Sequence, residues 1–551
     1  LPTLLEKNAE IPQQKRIVFV GDSITDSGLY IAYMDAFFRR HLSDKQITLI
    51  NLGVSSETAS GLSEHVHPFP RPCLHDRLNR VLHETKPDWV VIGYGMNDGI
   101  YYPFSNDRLE AYQAGILKAV QAVRAAGAKA IVMTPPPFDP ASFTGGNLQP
   151  ESMASYSWKA PYQKYNDTLL QYAAWIKSLG SEVDGAVNTY DLLSQGIENE
   201  RKNNPAYSSG DGIHPNAKGH WLIAKKLLSR LFNITLEREP DYVEHPEHSA
   251  YFKLILERHR LLSSAWKEHI GHTNPTKADA LPLKEALVRS SEIEQEIKRE
   301  LAKESDPHME HISHWNGYKQ KDFYLNGREG IVICPEAPAA GSPYIWRAEF
   351  LHAFDYADRA LLEQGWHIVY YRLSHMYGCP HAVDLMRQFQ AHIEAAYGLS
   401  NRAVLFGFSR GGLYTINYAS AHPDKVAAIY LDAPVLDIRS WPGGKGEGVG
   451  SSECWEDCKA IYGITESEAA DFNENPLDKL EKVVQANIPI IIVAGDSDRV
   501  VPFSENGEKW IKRYIEYGGT IEVIVKPGVD HHPHSLENPV PIVKFITGFI
   551  Q

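Results

Sequence analysis

Cysteine is scarce in this chain, five in 551 residues (Cys73, Cys334, Cys379, Cys454 and Cys458), and none of the five stands in a CxxC spacing. That excludes the usual zinc and dithiol frameworks, and an odd total in a long chain favours buried free thiols over a disulfide scaffold. The expectation is chemistry with no cofactor and no metal. No apolar run approaches the roughly 20 residues of a spanning helix, so no membrane insertion is expected. Positive charge is also short: 55 Lys and Arg against 69 Asp and Glu give a net charge of -14. Nucleic acid and anionic membranes both require a positive footprint, which makes a neutral or weakly charged substrate the better fit. There is no low-complexity tract and no internal repeat relating one half to the other.

What remains is the composition of a globular protein, 43% hydrophobic and 23% charged. The length exceeds what one core usually organises, so two domains are predicted. Residues 1–240 read as one α/β domain: the β-rich runs IVFVGDS, ITLINLG, WVVIGYG and AKAIVMTPPP alternate with amphipathic stretches such as LEAYQAGILKAVQAVRAAG. Residues 241–321 change character. SAYFKLILERHRLLSSAWKEHI and LKEALVRSSEIEQEIKRELAKE are charged and helical in period, predicting a helical hairpin that packs on a catalytic domain. Residues 322–551 form a second α/β series, with strands at GIVICP, HIVYYRL, AVLFGFS, AAIYLDAP, IPIIIVAGD and TIEVIVKPG, and with residues 435–483 long enough to form a lid. The chain starts at Leu1 without an initiator methionine, an expectation of trimming or of a removed leader. A periplasmic or secreted bacterial setting is favoured, and the oligomeric state is left open.

Four segments of the first half carry chemistry together. Gly21-Asp22-Ser23 follows the first strand, Asn51-Leu52-Gly53 the second, and Gly95-Met96-Asn97-Asp98 the third, while Asp211-Gly212-Ile213-His214-Pro215 precedes a helix. Each alone reads as an N-cap or a turn. In this order, all at the sheet edge where ligands bind, they supply a serine, a carboxamide and an Asp–His pair that can orient an imidazole toward a hydroxyl. The set resembles the SGNH (GDSL-like) hydrolase family over about residues 16–232, with Ser23, Gly53, Asn97 and His214 matching its signature residues. The resemblance implies a flavodoxin-like three-layer sandwich and ester hydrolysis through an acyl-enzyme on Ser23. Asp211 and His214 would complete the triad, and the oxyanion would be held by the backbone N–H groups of Ser23 and Gly53 and the Asn97 side chain.

In the second half Gly407-Phe408-Ser409-Arg410-Gly411 joins a β-rich run to a helical stretch. This is the G-x-S-x-G strand-to-helix turn that strains a nucleophilic serine. Residues 322–551 resemble the α/β-hydrolase superfamily. The resemblance implies an acid at Asp498, with Asp496 as the fallback, and a base at His531, with His532 kept open. It also implies an oxyanion hole from the Arg410 N–H and a second donor near Ala337, in the loop after GIVICP. The run His531-His532-Pro533-His534 raises metal binding, but its Pro breaks a helix and Asp530 is the one acidic neighbour in sequence, so that reading is set aside.

Two serine esterase sites on one chain predict a bifunctional esterase, and the resemblance of the first half to SGNH hydrolases, many carbohydrate deacetylases among them, implies a carbohydrate acetylesterase acting on acylated poly- or oligosaccharides. The alternatives are one active module beside a carbohydrate-binding one, or a peptidase-like C-terminal module. Tyr101, Tyr102, Tyr344, Trp346 and Trp441 are candidates for stacking on sugars, though packing is the commoner role. Arg347 and Arg410 are candidates for an acidic group, though structural ion pairs explain them equally well.

Overall fold

The computed structural model describes residues 11–303 and 311–550; residues 304–310, inside the predicted hairpin and linker segment, lie outside the described residues. The chain divides into two compact units. One runs over Ile11–Leu231 and from Leu236 through the helical pair; the other takes Phe232–Thr235 and the C-terminal half. Among the described residues no helix is long and apolar enough to cross a membrane.

The first unit is built on five parallel strands, β1 (Gln14–Gly21), β2 (Gln46–Asn51), β3 (Trp89–Gly93), β4 (Lys129–Met133) and β5 (Gly185–Val187), in the order β2-β1-β3-β4-β5. These strands are near-continuous apolar runs because helices cover both faces of the sheet, leaving Val18, Val20, Val90, Ile92 and Val132 fully buried. The chain reverses direction of travel across the sheet at β1 and β3, and the crevice outside their carboxyl ends is where this topology binds ligands. Ser23 follows β1 and Asn97 follows β3.

The helical pair Ala250–Ile270 and Leu283–Lys303 belongs to this unit. Tyr251, Phe252 and Ile255 bury one apolar face, Tyr33 stacking on Phe252 at 5.3 Å. Beneath it lies an ionic knot: the buried Asp35 carboxylate takes hydrogen bonds from Arg39 (3.1 Å), Arg258 (3.2 Å) and His259 (2.9 Å). Burial alone would raise the Asp35 pKa, but the Arg39 charge and the His259 hydrogen bond outweigh it and hold the carboxyl well below its usual range.

The second unit is a nine-stranded sheet ordered β14-β13-β12-β11-β9-β10-β8-β7-β6. Its strands are β6 (His311–Trp315), β7 (Tyr318–Leu325), β8 (Arg328–Ile333), β9 (Tyr344–Arg347), β10 (His367–Tyr371), β11 (Ala403–Phe408), β12 (Val426–Asp432), β13 (Ile490–Gly495) and β14 (Ile521–Lys526). β6, β7, β8 and β10 pair antiparallel; β10, β9 and the rest run parallel. The sheet begins at His311, ahead of the boundary near 322, because the edge strand β6 and its neighbour β7 are only partly buried and lack a continuous apolar run. Tyr344–Arg347 is likewise a buried strand inside a segment that reads as loop. The stretch from 435 to 483, suggested as a lid, is packed: Val435, Leu436, Ile438 and Cys458 are fully buried, and Asn475 and Asn506 accept hydrogen bonds from the Ile438 and Leu436 N–H groups at 2.9 Å each.

Candidate active sites

In the first unit the Asp22 side chain caps the helix Ser23–Ser27 by accepting a hydrogen bond from the Ile24 N–H (3.0 Å), which leaves Ser23 as the first helical residue. Its backbone N–H has no intrahelical acceptor and its hydroxyl stands at the sheet edge. His214 Nε2 lies 2.8 Å from Ser23 Oγ, and His214 Nδ1 lies 2.8 Å from Asp211 Oδ2. The other Asp211 oxygen accepts the N–H groups of Ile213 (2.9 Å) and His214 (2.7 Å), so one carboxylate fixes both the loop and the ring. A second layer braces that loop: Ser209 and Arg201 donate to Asp139, whose N–H donates to Gly212 O.

Partial burial raises the Asp211 pKa and lowers that of His214, but the bond between them and their opposite charges prevail. Asp211 falls to about 2 and His214 rises above its ordinary value, helped by the nearby Asp22 charge. Burial pushes the Asp22 carboxyl itself up to about 7, against the Ile24 bond and the His214 charge. The imidazole is thereby oriented by a carboxylate, in hydrogen-bond reach of a hydroxyl, and poised as a general base.

Asn97 Nδ2 donates to Glu57 O (3.3 Å), and its Oδ1 accepts from Tyr101 OH (2.9 Å), so Tyr101 fixes which end of the amide faces the site. The Asp98 carboxylate gathers the Ala59 and Ser60 N–H groups (2.9 and 2.7 Å), folding the loop after β2 toward Asn97. Gly53 differs from expectation. Its N–H donates to Asn51 Oδ1 (2.9 Å) and is therefore engaged, and a Cβ there would stand 2.3 Å from Asp26 N. The glycine permits two loops to touch; it does not present a free oxyanion donor. Three residues on, Ser56 holds φ at +67°, a strain of the kind that concentrates at functional sites. The hairpin reaches these loops too: Lys267 bonds Asp26, whose carboxylate accepts from Ser55 Oγ (2.6 Å), and Asn274 Nδ2 donates to Ser55 O (2.7 Å).

In the second unit Ser409 sits between β11 and the helix Gly411–Ala421 with φ at +49°, the strained turn its glycines anticipate. A Cβ on Gly407 would meet Thr415 Oγ1 at 2.6 Å. His531 Nε2 lies 3.0 Å from Ser409 Oγ and His531 Nδ1 lies 2.7 Å from Asp498 Oδ2. Asp498 also accepts the Val500 and Val501 N–H groups, at 2.9 and 2.8 Å. Asp496 instead faces solvent and accepts from Gly528 N–H, and His532 stacks on Phe354. The Ser409 triad is buried, each member under a tenth exposed, whereas the Asp211 and His214 side chains are over two-fifths exposed.

One placement here differs from the sequence reading. Ala337 packs on Gly365, just before β10, at the opposite sheet edge from Ser409, so it cannot supply the second oxyanion donor. The loop beside the elbow is instead the one after β9. A Cβ on Gly411 would stand 3.8 Å from Glu349 N, and Phe350, His352 and Phe354 all hold positive φ. Arg347 keeps that loop in shape. Fully buried, it donates to Phe350 O (2.9 Å) and Ala353 O (2.5 Å) with its guanidinium 3.9 Å from the Phe408 ring centroid. It is paired with the buried Asp358 (3.5 Å) and so unavailable to an acidic group on a substrate, and Arg410 is paired with Glu349 (3.3 Å). Tyr101, Tyr344 and Trp346 are each about 1% exposed and serve packing and hydrogen bonding, not open stacking.

These geometries agree with what the chain is similar to. Residues 19–222 match the GDSL-like lipase/acylhydrolase family, and residues 367–551 match the prolyl oligopeptidase family. The chain joins two hydrolase domains. No curated protein matches it. Among solved structures, it is similar to a gut microbial diltiazem-metabolizing enzyme (19% identity, TM-score 0.32), the match covering 41% of this chain and 48% of that one, so the chain spans about half that enzyme's length. A mutant acetyl-xylooligosaccharide esterase from Geobacillus Stearmophilus matches at 23% identity and TM-score 0.31 over 42% of this chain and all of that one. Pyrococcus horikoshii acylaminoacyl peptidase matches at 16% and 0.31 over 39% and 37%. Likenesses of this size bear on neither substrate nor activity.

Proposed function

We propose that the protein is a bifunctional serine carbohydrate esterase that removes acetyl groups from poly- or oligosaccharides through acyl-enzymes on Ser23 and Ser409. The observation that carries the reading is the pair of complete relays, Ser23–His214–Asp211 and Ser409–His531–Asp498, each with serine-to-imidazole and imidazole-to-carboxylate distances of 3.0 Å or less. In each, the imidazole takes the hydroxyl proton as oxygen attacks the ester carbonyl and returns it to the departing alcohol; water then repeats the sequence to release acetate. The Ser23 N–H and Asn97 Nδ2 serve the first oxyanion, and the Arg410 N–H with the loop after β9 serves the second.

The open first site suits an ester carried on a larger sugar. A cavity of about 210 Å³ flanks His214, lined by Leu193, Ile197, Tyr207, Asn216 and Leu222 with the Lys218–Glu200 ion pair at its wall. His214 contributes to its wall, and its size fits one small group. The strong negative net charge favours neutral glycans over acidic ones.

The test treats acetylated oligosaccharides with Ser23→Ala and Ser409→Ala separately and reads the products by mass spectrometry. Each variant should leave a different subset of acetyl groups in place; full wild-type products from either variant would remove that serine from the reaction. A second reading, a peptidase at Ser409, is favoured by the family matched by residues 367–551. Cleavage of a peptide amide by Ser23→Ala, with acetyl esters untouched, would select it.

A further inference from the structure

His531, His532 and His534 share one turn, and each offers a ring nitrogen within 4.8 Å of those of the other two. Acyl transfer uses one of the three. The other two need a different account, and His534 most of all, because it repeats the design of the catalytic base. Its Nδ1 lies 2.7 Å from Asp432 Oδ1, as His531 Nδ1 lies 2.7 Å from Asp498. Asp432, fully buried at the end of β12, also accepts Tyr430 OH (2.6 Å) and Ser535 N–H (2.9 Å), so its position and that of the His534 ring are fixed.

A carboxylate on Nδ1 holds the proton there and leaves the lone pair on Nε2. This carboxylate–histidine arrangement is what orients imidazoles in metal centres. Here two buried rings carry it, nearly perpendicular and 4.8 Å between centroids, while His532 beside them is exposed on one side and stacked on Phe354. Tetrahedral zinc, with Zn–N of about 2.0–2.1 Å, needs ligand nitrogens about 3.4 Å apart. Closing from within 4.8 Å to that spacing takes small movements of all three rings, with His532 turning off the Phe354 face. An all-imidazole donor set suits zinc, copper or nickel and is poor for calcium or magnesium.

We propose that this turn is a three-histidine site for a borderline divalent transition metal, zinc foremost, and that zinc reversibly silences Ser409 by taking the His531 lone pair that activates its hydroxyl. The silencing rests on the reading of His531 as the base; the binding does not. The Ser23 site keeps running, since His214 is not among the residues grouped in this way. Among the described residues the other such grouping is His245, Glu247 and His248, all exposed and without a second buried carboxylate.

The test uses tag-free full-length chain stripped with EDTA and titrated with zinc chloride in a calorimeter. Wild type and His248→Ala should show one tight site; His532→Ala should bind at least ten-fold more weakly while keeping its zinc-free hydrolysis rate. With saturating zinc, the Ser23→Ala chain should lose at least ten-fold in ester hydrolysis and recover on adding EDTA, and the Ser409→Ala chain should be unchanged. Equal tight binding by wild type and His532→Ala overturns the site, as does absence of binding. Tight binding with an undiminished Ser409-dependent rate overturns the silencing. Should Ser409 prove inert toward the ester, calorimetry on His532→Ala and His534→Gln decides the site alone, with loss of the tight signal in both expected and its survival in either contradicting it.

Discussion

His214 Nε2 and Ser23 Oγ stand 2.8 Å apart although 191 residues separate them in the chain. The contact exists because the fold delivers the loop after β1 and the loop before the helix Ala217–Phe232 to one edge of the parallel sheet. Its strength as a base depends on Asp211, and this has opposite consequences for rate and stability. Asp211 is depressed to about 2, so its stabilising contribution is present above the unfolded value of about 3.9 and lost as pH falls through 2. His214 is raised, so its contribution is complete below about 6.5 and lost as pH rises through the folded value. The neutral, active base appears only as that stabilisation fades. In the Ser409→Ala chain, kcat/KM should rise with pH to a midpoint above 6.5. Asp211→Asn should lower the rate by about 10⁴ and move the midpoint down; an unmoved midpoint would show that Asp211 does not set the base.

Asn97 and Tyr101 separate donating a hydrogen bond from aiming it. Asn97→Ala should cost about 10²–10³ in kcat at the Ser23 site with KM little changed, the usual loss for one oxyanion donor. Tyr101→Phe releases Asn97 Oδ1 and should cost about ten-fold or less, since the donor remains and only its orientation relaxes. Steady-state kinetics on a small acetyl ester check both. Equal losses would mean that the amide acts through structure and not through the transition state.

Asp35 neutralises two guanidiniums under the helical pair. Asp35→Ala should destabilise the first unit by about 3 kcal/mol, because it removes the buried carboxylate that Arg39, Arg258 and His259 share and leaves the two guanidiniums with Glu294 alone. Calorimetry should show the transition that abolishes Ser23-dependent hydrolysis moving down while the Ser409-dependent one holds. A common shift of both would contradict the assignment of the helical pair to the first unit.

Arg347 shapes the loop that flanks Ser409 without touching a reacting atom. Arg347→Met should lower kcat at Ser409 at least ten-fold and leave the Ser23 rate unchanged in the same preparation. Retention of full Ser409 activity would show that the positive-φ loop does not need this anchor.

The two nucleophiles and their partners were legible in sequence because each motif encodes a backbone requirement: a cap before Ser23, a strained turn at Ser409, an Asp–His pair on one short loop. What was not legible depends on which groups are already engaged. Nothing in Asn51-Leu52-Gly53 says that the Gly53 N–H is taken by Asn51, and nothing in the aromatic positions says that Tyr344 and Trp346 face a core. The hidden strand Tyr344–Arg347 moved the loop beside Ser409 from Ala337 to Glu349. Asp432, 102 residues from His534, supplies the acidic neighbour that local sequence around the histidines lacks.

The most direct measurement is the intact mass of the chain after reaction with a fluorophosphonate, a reagent that labels only activated serine hydroxyls. Two independent relays predict two adducts on wild type, one on Ser23→Ala, one on Ser409→Ala and none on the double variant. A single adduct on wild type, or labelling that survives in the double variant, would contradict the presence of two separate serine nucleophiles.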